Sequence, residues 1–170
     1  VGAYNNDGTL KAGAKVLYIT ARSAKTVSTT VNTGKLETIT GLQSIIDAYS
    51  KGKDKTPIAF RFIGKISLSD LDHTSSSAEG LQIKGATMNM TFEGVGDDAT
   101  VYGFGFLLRD VKSVEFRNLA IMRCLDDAMS LDTNNSHVWI HNMDFFYGKK
   151  GSAADQAKGD GTVDIKADSK

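Results

Sequence analysis

Three short segments hold the side chains with chemistry to offer. They are Asp126-Asp127-Ala128-Met129-Ser130-Leu131-Asp132, Asn135-Ser136-His137-Val138-Trp139-Ile140-His141-Asn142 and Asp160-Gly161-Thr162-Val163-Asp164-Ile165-Lys166. The donors in the first and third are carboxylate oxygens. Alternation along the third places Val163 and Ile165 on one face, and Asp160, Thr162 and Asp164 on the other. On a flat strand, Asp160 and Asp164 lie roughly 13 Å apart, too far for one ion. A bend near Gly161, with Asp127 supplied by a strand about 4.8 Å away, brings three acids together. Hard oxygens at that spacing suit Ca²⁺, which takes about six to eight of them. No Cys/His cluster points to zinc. A plainer reading stands beside this one, in which these acids are ordinary turn and surface residues. Simple alternation also places Asp127 on the buried face of Met129 and Leu131, so a metal role requires a bend between Asp127 and Met129.

These segments need a scaffold of stacked strands, and the sequence contains a period that supplies one. Met90-Thr91-Phe92-Glu93-Gly94-Val95, Val114-Glu115-Phe116-Arg117-Asn118-Leu119 and Val138-Trp139-Ile140-His141-Asn142-Met143 align at positions 90, 114 and 138, a step of 24 residues. Three apolar columns result: Met90/Val114/Val138, Phe92/Phe116/Ile140 and Val95/Leu119/Met143. Gly94/Asn118/Asn142 forms a turn column, where Asn suits a left-handed corner and its side chain can hydrogen-bond along the stack. The same offset relates Leu107 to Leu131. A period in the low twenties, with short strands and no intervening helix, predicts a parallel β-helix. The alternative, an antiparallel sandwich, calls for hairpin signals such as Asn-Gly, which the chain lacks.

One amphipathic helix is expected. Leu42, Ile45, Ile46 and Tyr49 share a face, Thr40 is placed to cap it, and Gly52 follows. Its role is to cover an end of the strand stack. Residues 1–40 read as an extension containing two strands, Lys15–Thr20 and Thr26–Val31, and residues 41–170 as the repeating domain. His141 falls in an outward polar column with Glu93 and Arg117, which favours a structural or ligand-flanking role over a general base.

Composition narrows the function classes. The 170 residues carry 20 basic and 20 acidic side chains, so there is no overall pull toward nucleic acid or anionic membrane. No apolar run is long enough to span a bilayer. Gly is frequent (17) and Pro nearly absent (1), as many tight turns require. The single Cys124 excludes an internal disulfide and reads as a small buried residue in a strand. The chain starts at Val1, which fits a removed signal peptide or a proteolytic boundary.

The three acidic and aromatic segments, together with Val111-Lys112-Ser113-Val114-Glu115-Phe116-Arg117-Asn118-Leu119, resemble the pectate lyases of polysaccharide lyase family 1 over about Gly41 to Lys170. The resemblance implies a right-handed parallel β-helix, secretion, and calcium-dependent β-elimination of polygalacturonate. It implies that Asp127, Asp160 and Asp164 are calcium ligands. Leu125 replaces a further acid of the family pattern and Asp126 stands where Gly is common, which leaves either a reduced ligand set or Asp126 as the substitute. Where many members carry Asp-His, this chain has His141-Asn142. None of Arg22, Arg61, Arg109, Arg117 or Arg123 matches the family's catalytic arginine, which follows the third acidic ligand. No catalytic residue is therefore assigned within these 170 residues. The β-helix is expected to continue past Lys170, on a C-terminal chain or fragment that completes it. A non-catalytic, calcium-dependent polysaccharide-binding β-helix is the alternative, and an adhesin-like solenoid with acids only at its turns is a third reading.

Overall fold

The computed structural model describes residues 1–146 and 162–169. Their strands are β1 (Lys15–Ile19), β2 (Ser28–Asn32), β3 (Leu36–Thr40), β4 (Ile58–Ser67), β5 (Gly80–Tyr102), β6 (Gly105–Met122), β7 (Met129–Thr133), β8 (Ser136–Phe145) and β9 (Val163–Ile165), with one α-helix, α1 (Leu42–Ser50), and a 3-10 turn at Leu68–Asp70. Seven strands form one sheet in the order β1-β4-β5-β6-β7-β9, with β8 also paired to β6, and every pairing in it is parallel.

The long strands bend where the sequence permits. β5 and β6 pair along three successive ladders: residues 80–87 with 105–112, 90–93 with 114–117, and 100–102 with 120–122. Between the ladders, the chain turns through left-handed residues, Asn89 and Gly96 in β5 and Ser113 and Asn118 in β6, and Gly85 and Asp110 are left-handed within the first ladder. Gly and Asn tolerate positive φ at little steric cost. The predicted Asn corners are present, with Asn118 and Asn142 both at φ 51. Asn118 Nδ2 donates to the carbonyls of Gly94 (2.8 Å) and Gly96 (3.1 Å), so this column is held by side chain to backbone rather than by stacked amides. Gly94 serves a different purpose: a Cβ there would lie 1.9 Å from the Asn118 carbonyl oxygen.

Two of the three apolar columns follow the predicted register. Met90, Val114 and Val138 are consecutive partners, as are Phe92, Phe116 and Ile140. Phe60, Phe92 and Phe116 stack at centroid distances of 5.1 and 4.9 Å, with Phe106 against the last two. Such pairs add about 0.5–1.5 kcal/mol each beyond simple burial. The third column is corrected. Leu119 pairs with Met143, but Val95 pairs with Ile63 and both are exposed. The register jumps between Glu93/Arg117 and Thr100/Ala120, because the chain from Gly94 to Ala99 bows outward and takes Val95 with it. Leu131 likewise pairs with Leu108, not Leu107.

The helix does cover an edge. Gln43 of α1 accepts from the Gln82 backbone N–H at 2.9 Å and donates to its carbonyl at 2.9 Å, taking the place of a strand that the first ladder lacks on that side. Its cap is not Thr40. Gly41 occupies that position at φ 100, and the Asp72 carboxylate, distant in sequence, accepts from the N–H groups of Gln43 and Ser44. β2 and β3 form an antiparallel hairpin through Gly34. It lies apart from the parallel sheet.

At the other end the apolar residues are less covered among the described residues. Val114, Phe116, Leu119 and Ile121 are 0–2% exposed, whereas their partners Val138, Ile140, Met143 and Phe145 are only partly buried, and Ile165 is 68% exposed.

Candidate functional site

The first ladder positions the acidic residues. After β6 the chain turns through residues 123–128, so that Asp127 is buried immediately before β7 begins at Met129. The chain bends at Ala128, between Asp127 and Met129, where a metal role for Asp127 requires it. It is pinned from below: Phe106 N–H donates to the Ala128 carbonyl at 3.0 Å, and a Cβ on Gly105 would come within 2.5 Å of the Asp127 and Ala128 carbonyl oxygens. Only glycine lets the backbone that carries Asp127 approach so closely. On the next rung β9 pairs with β7, placing Asp164 opposite Ser130.

Asp127 and Asp164 meet at one cation. The Lys166 ammonium lies 3.7 Å from Asp127 Oδ2 and 3.4 Å from Asp164 Oδ2, with the Ser130 hydroxyl 3.5 Å away. Burial opposes the charge on Lys166, but the hydrogen bond to Asp164 and the charges of Asp127, Asp164 and Asp132 outweigh this and push its pKa up. Asp126 is half-buried beside Asp127. Asp160 lies outside the described residues. Alternation along β9 places Lys166 on the same side as Asp164, so the period-two pattern that selected Asp164 also reaches this lysine. Sequence reasoning singled out only the acids of this segment and passed over the lysine.

Two carboxylates from different rungs, with a hydroxyl beside them, form a hard-oxygen set of the kind Ca²⁺ accepts. Among the described residues, no group of three or more His, Cys, Asp or Glu converges as a metal cluster. The fit to calcium is therefore partial, and rests on Asp127 and Asp164. Cys124 is buried as expected, although in the turn and not in a strand. Burial raises its thiol pKa, with the charges of Asp127 and Asp126 adding to the effect.

Three of the five arginines are engaged elsewhere. Arg109 Nε is 2.5 Å from Asp132 Oδ2, while Arg61 and Arg117 both bind Glu93. His141 sits in the predicted outward column beyond Glu93 and Arg117, its Nε2 3.2 Å from Glu115 and its ring stacked 3.9 Å from Trp139.

No family model matches the chain, and no curated protein matches it. Among solved structures, a crystal structure of a pectate lyase from Bacillus sp. N165, in complex with trigalacturonate, superposes with a TM-score of 0.58 at 20% identity. The fold is pectate lyase-like. The match covers 83% of this chain and 40% of the other, so this chain spans well under half the length of that enzyme. Among the described residues, no helix is long and apolar enough to cross a membrane.

Proposed function

We propose that these residues form the calcium-binding part of a secreted pectate lyase, built as a right-handed parallel β-helix that cleaves polygalacturonate by β-elimination. The observation that supports this best is the meeting of Asp127 and Asp164 at one cation position on a pectate lyase-like fold. Asp160 is the proposed third ligand, and Asp126 a candidate fourth beside Asp127.

In this reading, bound calcium supplies Lewis-acid chemistry, drawing charge from a uronate carboxylate and so acidifying the adjacent C–H. The chain's own contribution is to hold two carboxylates on neighbouring rungs at a fixed separation, with Gly105 and the Phe106–Ala128 hydrogen bond setting the position of Asp127. The proton-abstracting arginine belongs to polypeptide outside these 170 residues. Its rungs would cover the partly exposed Val138, Ile140, Met143 and Phe145, since inward apolar residues gain about 25 cal/mol per Å² when covered. Calcium-dependent carbohydrate binding without catalysis is the reading left if no such segment exists.

The test is retention on polygalacturonate. The 170-residue chain should be retarded in a polygalacturonate gel when calcium is present and released by chelator or by Asp164→Ala. It should generate no ultraviolet absorbance of unsaturated product by itself. Retention indifferent to both calcium and Asp164 would overturn the metal reading, and unsaturated product from the chain alone would place the base within it.

A further inference from the structure

The position between Asp127 and Asp164 is taken by a side chain of the same segment. Asp127 is 2% exposed, and a buried carboxylate demands a compensating charge or strong hydrogen bonds. Lys166 follows Asp164 by two residues, immediately past the end of β9, and its ammonium reaches both acids. The side chain is 48% exposed, so its stem has room to swing outward. A lysine is a compact point charge on a flexible stem, unlike the fixed fork of an arginine. The arrangement can therefore be opened without disturbing β7 or β9.

We infer that Lys166 is a tethered, displaceable counter-ion of the metal site, holding Asp127 and Asp164 together until a divalent cation takes its place. This rests on the calcium reading proposed above. The two cations cannot share the same oxygens: like charges about 4 Å apart in a partly screened site repel by several kcal/mol. Metal entry must therefore expel the ammonium into solvent. The lysine has two opposing effects. It stabilises the metal-free site, and it weakens metal binding by competing for the ligands. A merely structural lysine would do only the first, and a lysine that helped to assemble the metal site would strengthen binding.

Two experiments on the full chain test this. In the first, calcium is titrated calorimetrically into wild type, Lys166→Met and Asp164→Ala. Lys166→Met should bind calcium about tenfold tighter than wild type, the size of effect expected when a competing charge is removed from a half-exposed site. Its metal-free form should melt at a lower temperature, so that calcium raises its melting temperature by more than it does for wild type. In the second, which needs no variant, wild type is treated briefly with an acetylating reagent with and without calcium, and modification of Lys166 is read by mass spectrometry. Lys166 should become more reactive when calcium is present. Equal or weaker calcium binding by Lys166→Met, or unchanged Lys166 reactivity, overturns the counter-ion role but leaves the metal site standing, provided Asp164→Ala still abolishes binding. Absence of any Asp164-dependent calcium binding in wild type overturns both.

Discussion

Charged side chains stack on neighbouring rungs at two places in this molecule, and the two places differ in how the charges are satisfied. On the outer face of the second ladder, Glu93 accepts from Tyr4 Oη (2.5 Å), Arg61 Nε (2.7 Å) and Arg117 (2.6 and 2.9 Å). Glu115, beside it, accepts from Thr91 (2.8 Å) and lies 3.6 Å from Arg117 and 3.2 Å from His141. Residues 2–4 run across the top: Ala3 N–H donates to Thr91, and the Tyr4 ring packs 4.1 Å from the Arg117 guanidinium. Both glutamates are buried. On the face of the first ladder, two acids share one half-exposed lysine. The first arrangement is interlocked by rigid guanidinium forks and a covering segment, and so belongs to the architecture. In the second, the cation that reaches both acids among the described residues is a flexible ammonium, standing where an external cation could sit. Acids stacked on adjacent rungs do not by themselves mark a site. The chemistry of their counter-ion does.

The sharpest way to break this contrast is at Glu93. Glu93→Ala leaves two guanidinium groups and a phenol without their shared acceptor, and should cost about 3–5 kcal/mol in urea unfolding. A cost under about 1 kcal/mol would mean that the outer-face cluster is no more structural than an exposed pair. Acid probes the same group. Burial favours the neutral carboxyl, but hydrogen bonds from Tyr4, Arg61 and Arg117 outweigh it and hold the Glu93 pKa below its ordinary 4.5. A depressed folded-state value means that the group's contribution is present above the unfolded value and is lost as pH falls through the folded one. Stability should therefore decline below about pH 4.5, with a shallower decline in Glu93→Gln. Urea midpoints across that range give the slope.

On the acidic face the larger effect should come from the backbone. Gly105→Ala drives a methyl group into the Asp127 and Ala128 carbonyl oxygens, and should cost about 1–3 kcal/mol while also weakening calcium binding. Thermal melts and calorimetry read the two effects separately, and a variant that melts lower yet binds calcium normally would remove Gly105 from the account of the site. The smallest change is expected at Lys166. Without metal, Lys166→Met should cost no more than about 1 kcal/mol, because the side chain is half-exposed and screened. A loss as large as that at Glu93 would erase the distinction between the two faces.

The repeat was legible in the sequence because stacked rungs impose their period on the inward residues. Phe92/Phe116/Ile140 and the Asn118/Asn142 corners followed directly from the 24-residue step. The step failed where the chain length between ladders changes. The outward bow at Gly94–Ala99 removed Val95 from the core, and a shift by one residue exchanged Leu107 for Leu108. Asp164 could be chosen from residue type and alternation, whereas alternation argued against Asp127, and their meeting depended on a turn that only hinted at itself through that phase conflict. The contacts that join distant segments left no local trace. Asp72 capping α1, Gln43 standing in for an edge strand, and Tyr4 reaching Glu93 each depend on the assembled fold.

The central claim is that Asp127 and Asp164 jointly form a cation site. It is tested most directly by calorimetric titration of calcium into the chain and into Asp164→Ala, with circular dichroism confirming that both are folded. The account predicts one saturable binding event in wild type that disappears in the variant. Calcium binding of equal affinity in both proteins, or none in wild type, would contradict it.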